Sequence, residues 1–184
     1  MLTLAHAAGT QTLDFVTLSA EVVPSPFGPL RLWTSELGLC AVTIDAVDDD
    51  RLQHRFARAT LREAEGPSEA ARQIEAWFAG RRADFDLAVD LRNLPEFQQR
   101  VLEALLTVPA GEVCTYGDLA ARVGRPGGAR AVGNALGRNP IPIVVPCHRV
   151  LAAGGKIGGY TGGLHRKCLL LRLERPAGVT IPTL

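Results

Sequence analysis

The chain has 184 residues, 47% hydrophobic and 21% charged, a balance that excludes a disordered, collagen-like or coiled-coil protein and allows one domain or two small ones. No stretch reaches ~18 uninterrupted apolar residues, so no membrane-spanning helix is expected, and the N-terminal MLTLAHAAGTQTLDF lacks the basic start and apolar run of a secretory signal. The net charge of +1 hides a split: residues 1–92 carry nine arginines against fourteen acids, residues 93–184 eleven basic residues against five acids.

Residues 14–23, 30–34 and 38–44 read as strands, with Leu18, Ala20 and Val22 alternating against Thr17, Ser19 and Glu21. SPFGPL (25–30) is the turn between the first two. Asp48-Asp49-Asp50 opens a helical stretch with Leu52, Phe56 and Ala59 at helical spacing, ended by Gly66-Pro67-Ser68. Ser68 also caps the next helix, whose face is Ala71, Ile74, Trp77 and Phe78; that aromatic stripe reads as core rather than as a cofactor box. Asp86 to Asn93 is a strand or connector into the second half.

Pro95 starts a helix in which Phe97, Val101 and Leu105 recur every four residues, and VPAGEV (108–113) breaks it. Thr115 and Asp118 have the spacing of an N-cap and its partner for a short helix, Tyr116–Val123. The turn Gly124-Arg125-Pro126-Gly127 leads to a second short helix from Gly128 to Leu136, which makes a helix-turn-helix. That second helix is built from small residues, Ala129, Ala131 and Gly133, around one cation, Arg130. An interior glycine costs ~1 kcal/mol and needs a reason. Either the helix packs closely on its own core, or it approaches a narrow groove, for which a smooth helix with one arginine suits the minor groove of DNA. Nine basic residues and no acid lie between Asp118 and Glu174, which fits a polyanionic partner or a solvated face.

Four cysteines, at 40, 114, 147 and 168, form no CxxC and have no clustered histidines, which argues against a structural zinc and a disulfide framework and fits a reducing cytoplasm. Ile141-Pro142-Ile143-Val144-Val145 reads as a buried, apolar strand stiffened by Pro140, Pro142 and Pro146, leading to Cys147 beside His148. A thiol must lose its proton to attack carbon, and a neighbouring imidazole can take it if a turn or a bridging water joins the two. An isolated Cys-His pair is ordinarily a buried cysteine beside a surface histidine; here the surroundings decide.

PCHRV (146–150) after GRNPIPIVV (137–145) resembles the active-site segment of the O6-alkylguanine-DNA alkyltransferases. The resemblance begins at SPFGPL and strengthens over FQQRVLEALLTVPAGEVCTYGDLA (97–120). It continues through GARAVGNALGRNP (128–140) and GKIGGYTGGLHRKCLLLRLE (155–174). It implies an α/β, ribonuclease-H-like N-terminal domain over 1–92 and a mostly helical, winged-helix-like C-terminal domain over 93–184. The implied reaction is irreversible transfer of an alkyl group from guanine O6 in double-stranded DNA, possible O4-alkylthymine activity being left open, to the protein's own cysteine. It needs no cofactor, and it requires the base to be flipped out through the minor groove. A monomer is implied, cooperative loading on DNA being left open.

By the same resemblance Cys147 is the acceptor, His148 the general base acting through water, and Glu174 the acid that orients it. Asn139 braces the helix-turn-helix against the active-site turn. Arg130 enters the stack that the base leaves, and Tyr116 crowds the phosphate and offers its hydroxyl to the base. The carbonyls of Val150 and Cys147 take the guanine amino group, Tyr160 and the Thr161 N–H border O6, and Pro142 packs on the base or its alkyl group. Arg149 reads as a surface residue tied to the scaffold, and Cys114 and Cys168 as structural, the latter on an apolar face with Leu164 and Leu171. The chain departs from the pattern at Leu102, where relatives commonly carry tryptophan, and at Thr161, where some carry serine. Some relatives hold a zinc in the first domain; with only Cys40, His6 and His54 available there, that metal is not carried over. A lesion reader without chemistry is the competing class, but such proteins lack the acceptor cysteine. A thiol hydrolase would differ by turning over many times.

Overall fold

The computed structural model describes residues 3–4, 16–44, 52, 55–57 and 59–183. The chain divides into two compact units, Met1–Leu94 and Pro95–Leu184. Among the described residues no helix is long and apolar enough to cross a membrane.

The first unit is a mixed sheet. Strands β2 (Thr17–Val23), β3 (Leu30–Ser35) and β4 (Gly38–Thr43) form an antiparallel meander. β5 (Thr60–Glu63) adds parallel to β2, while β6 (Ala88–Val89) pairs parallel with β4 and with β1 (Thr3–Leu4). The sheet order is therefore β1-β6-β4-β3-β2-β5. Ser25 shapes the β2–β3 turn: its hydroxyl accepts from the Phe27 N–H and donates to the Gly28 carbonyl. Helix α1 (Glu69–Phe78) starts where the Ser68 hydroxyl accepts from the Ala71 N–H, and Glu21 of β2 accepts from the Ser68 N–H. Ile74 and Trp77 are buried, and Trp77 meets Phe78 edge-on. Leu18, Trp33, Cys40 and Phe56 belong to one core cluster.

Three expectations for this half need correction. Val22 is exposed and Val23 is buried, because Val23 pairs with the fully buried Leu30 and the alternation changes phase there. The stretch before Gly66 is not helical to its end: residues 60–63 are an edge strand. All four of its residues are exposed, so no apolar alternation marks it, and it forms because the Val16 carbonyl accepts from Thr60 and the Ala20 carbonyl from Ala64. β1 was not expected at all. Residues 14–15 of the first expected strand and Asp48–Asp50 lie outside the described residues.

The second unit holds α2 (Glu96–Leu106), α3 (Tyr116–Arg122), α4 (Ala129–Leu136) and α5 (Leu164–Glu174), with a two-stranded parallel ladder of β7 (Cys114–Thr115) and β8 (Val150–Leu151). A reciprocal capping box between Thr115 and Asp118 opens α3. The Gln98 side chain on α2 donates to the carbonyls of Ala135 and Arg138, and Arg100 donates to the Val123 carbonyl, which fixes the helix-turn-helix of α3 and α4 on α2. Ile141, Ile143, Val144 and Val145 are buried, but residues 141–145 form no strand. Val145 N–H bonds back to the Ile141 carbonyl, and Ile143 sits at φ 77°, because prolines at 140, 142 and 146 deny the donors that a ladder needs. Leu164 is 44% exposed, so the apolar face around Cys168 runs to Leu171 without it.

Gly38 has φ 135°, and a Cβ there would run into the Ala88 carbonyl of β6. Gly38→Ala is expected to destabilise the protein by more than ~2 kcal/mol, whereas Gly66→Ala, with open space around it, stays within ~0.5 kcal/mol, as read by urea denaturation.

Candidate active site

The turn after Pro146 sets the site. Cys147–Arg149 form a single 3-10 turn, and with about three residues per turn the three side chains leave in three directions. Cys147 and His148 are thus not strand neighbours on opposite faces. Cys147 faces Asn139 and Tyr160, while His148 and Arg149 both reach Glu174 at the end of α5.

Asn139, just past α4, holds the turn with its whole amide. Its Nδ2 donates to the Val145 carbonyl at 2.8 Å and to Cys147 Sγ at 3.2 Å, and its Oδ1 accepts from the Ile141 N–H. Tyr160 Oη lies 4.0 Å from the same sulfur. Burial pushes the Cys147 thiol up, against the lowering effect of the Asn139 and Tyr160 hydrogen bonds and of the Lys167 charge. At rest the group is a thiol.

His148 Nε2 is 3.1 Å from Glu174 Oε1, the histidine side chain being 0% and the glutamate side chain 3% exposed. Burial lowers the imidazole below its usual range, opposed by the hydrogen bond and charge of Glu174. His148 is therefore neutral at physiological pH and able to accept a proton. Burial alone would raise Glu174, but the hydrogen bonds from His148 and Arg149 outweigh it and bring the carboxyl down to about 2. Glu174 is a buried anion, not the surface acid that a helix-terminal glutamate ordinarily is.

Arg149 corrects its expected place on the surface. It is buried, donates to both Glu174 oxygens at 2.9 and 2.6 Å, and donates Nη1 to the Val108 carbonyl. Lys167 was missed altogether. Its ammonium is fully buried and donates to the carbonyls of Val150, Ile157 and Gly159. Lys167 could have been suspected from helix period: Lys167, Leu170, Leu171 and Glu174 share one stripe of α5, which sets a cation and an anion in line with two buried leucines.

Tyr116 Oη donates to the Gly159 carbonyl at 3.2 Å, and Thr161 Oγ1 donates to the Gly137 carbonyl at 3.2 Å, so the glycine-rich loop is tied to both helices of the helix-turn-helix. Val150 is buried, Pro142 half-buried. Arg130 is exposed on α4, which also carries Ala129, Ala131 and Gly133. A Cβ on Gly133 would meet the Tyr116 ring at 3.8 Å, an ordinary contact, so packing inside the unit does not demand glycine there. Among the described residues no group of three His, Cys, Asp or Glu side chains could hold a metal; His6 and His54 lie outside them.

Residues 96–176 match the DNA-binding domain of 6-O-methylguanine DNA methyltransferase, and residues 18–91 match its ribonuclease-like domain. A methylated-DNA–protein-cysteine methyltransferase of Mycobacterium leprae is 47% identical over 160 residues, covering 87% of this chain and 94% of the relative. The structure of Mycobacterium tuberculosis OGT in complex with DNA superposes with a TM-score of 0.73 at 44% identity, covering 88% of this chain and 96% of that one. The O6-methylguanine-DNA methyltransferase from Pyrococcus kodakaraensis gives 0.59 at 29% identity, covering 85% and 98%. The chain belongs to the O6-methylguanine-DNA methyltransferase family: a ribonuclease-like α/β domain followed by a mostly helical DNA-binding domain.

Arg149→Met leaves Glu174 buried with its main partner gone. The expected loss is about 3–5 kcal/mol by urea denaturation, and the double variant Arg149→Met/Glu174→Met recovers part of it.

Proposed function

We propose that Cys147 is the acceptor through which this chain repairs O6-alkylguanine in DNA. The chain is a methylated-DNA–protein-cysteine methyltransferase and binds DNA. The observation that carries the assignment to Cys147 is its thiol in a hydrogen bond with Asn139, next in the chain to the His148–Glu174 pair. Among the described residues the other three cysteines have no such surroundings: Cys40 donates to the Trp33 carbonyl and is pushed up to about 12 by burial.

In this reading His148 takes the Cys147 proton through a bridging water and Glu174 stabilises the imidazolium. The sulfur attacks the alkyl carbon, an S–C bond forms, and the C–O6 bond breaks with its electron pair on the guanine oxygen. The base regains a proton, with the Tyr116 hydroxyl offered to it. The thioether is stable, so each molecule acts once and no cofactor enters. The Cys147 and Val150 carbonyls hold the guanine amino group; Val150 keeps a lone pair for this beside the bond from Lys167. Tyr160 and the Thr161 N–H border O6, and Pro142 packs on the base.

The chain works as a monomer in the cytoplasm and approaches duplex DNA from the minor groove. Ala129, Ala131 and Gly133 let α4 come close, and Arg130 fills the stack. Gly133 supports this, since its neighbours leave room for a methyl.

Cys147→Ser is expected to abolish transfer from O6-methylguanine duplex while duplex affinity holds, because affinity comes mainly from phosphate contacts. Intact mass and peptide mapping decide: one methyl on Cys147 supports the assignment, and a methyl on Cys114 or Cys168 sinks it.

Arg130→Ala should slow transfer from duplex strongly, by the few kcal/mol that an unfilled stack adds to the flipped state, yet barely slow transfer from free O6-benzylguanine. Equal losses on the two substrates would remove the stack-filling role.

A further inference from the structure

Asn134 stands in the interior of α4, where asparagine is a poorer helix former than alanine, and it caps neither end, since Gly128 and Gly137 hold those positions. Its side chain is exposed, and among the described residues no hydrogen bond engages its amide. The amides nearby are used: Gln98 holds the carbonyls of Ala135 and Arg138, and Asn139 holds the turn at Cys147. A residue that weakens its helix with no internal gain is expected to act outward. Its place on the helix says toward what. Val132, Ala135 and Leu136 are buried, while Arg130 and Asn134, four residues apart, are exposed and share one stripe. Four residues advance about 6 Å along a helix, less than two base-pair steps of ~3.4 Å. Apart from Arg130, Asn134 is the only hydrogen-bonding side chain of α4, so with the arginine in the stack the amide is what remains to meet a base edge.

We propose that Asn134 is a specificity-determining residue for repair in duplex DNA: its amide gives the chain a preference for a G·C pair within two steps of the damaged guanine. The inference rests on the minor-groove approach of α4 and adds a sequence dependence to it. Every base pair shows acceptors in the minor groove, the purine N3 and the pyrimidine O2, but only G·C adds a donor, the guanine 2-amino group. The asparagine amide donates through Nδ2 and accepts through Oδ1. Against an A·T pair it uses the donor alone, whereas against G·C it uses both. Arg130 serves any sequence, because filling a vacated stack needs no particular neighbour; Asn134 makes the neighbour count. The preference falls on one side of the lesion, because α4 runs in one direction from Arg130.

The test uses the full chain and O6-methylguanine duplexes that differ at a single pair, one or two steps from the lesion on either side. At each position the pair is G·C or inosine·C, which differ by the 2-amino group. Single-turnover transfer is measured below saturation for wild type and for Asn134→Ala, which replaces an exposed helical asparagine by a better helix former and is expected to fold. The variant supplies the baseline, because the weaker inosine·C pair alters the duplex alike for both proteins. At one position, and not at its counterpart across the lesion, the G·C over inosine·C ratio of wild type should exceed that of Asn134→Ala by about 3–10-fold, the scale of one hydrogen bond. At the same position 2,6-diaminopurine·T, which puts the amino group back on an A·T pattern, should outpace A·T by a similar factor in wild type alone. Equal ratios for the two proteins at every position overturn the proposal, and so does a diaminopurine pair that brings wild type no gain. Distamycin, seated in the minor groove of a flanking A·T tract, tests the approach itself. If it slows transfer by both proteins while their ratios are equal, the groove reading stands and the role of Asn134 falls; if it slows neither, the groove reading falls and takes Asn134 with it.

Discussion

One buried carboxylate organises the reactive half of this protein. Glu174 ends α5, yet its oxygens meet His148 and Arg149 from the 3-10 turn, and Arg149 goes on to the Val108 carbonyl beyond α2. Two helices and a turn far apart in sequence are thereby fixed through one anion. The arrangement is costly to bury and holds only because its hydrogen bonds are complete. The same anion orients a neutral, buried imidazole that stands next in the chain to Cys147.

A second set of restraints acts from the side of the helix-turn-helix. Asn139 grips the sulfur and the turn from the end of α4, and Thr161 binds the last carbonyl of that helix region at Gly137. Tyr116 reaches the glycine-rich loop from α3. The helices that would meet DNA and the groups that would meet the base are thus linked by short hydrogen-bonded steps within one unit.

Much of this was legible in the residues. Ser68, the Thr115–Asp118 pair and the Gly124–Gly127 turn announce helix ends by capping chemistry, and the structure bears them out. The β2–β4 meander follows from alternation and the SPFGPL turn. What failed did so for identifiable reasons. Residues 141–145 have strand composition, but their prolines remove the ladder, and a periodicity argument counts side chains rather than donors. β5 has no buried face to signal it, since it exists to complete an edge. Arg149 and Lys167 were misjudged or missed because charge type suggests exposure. Their partners, a carboxylate 25 residues away and a ring of main-chain carbonyls, are invisible until the chain is folded. The roles proposed for Cys147, His148 and Glu174 rest on family resemblance, not on spacing.

The buried, protonated state of Cys147 has a further consequence. A protein that reacts once is also its own reagent, and any stray electrophile or oxidant that captures the sulfur removes a molecule from service. Cys147 is only 9% exposed, and its thiol is held above the ordinary range by burial. Thiolate is the species that oxidants and small electrophiles consume. In the role proposed for Cys147, a thiol that keeps its proton spares the unused protein, so selectivity depends on when the nucleophile exists as much as on what fits beside it.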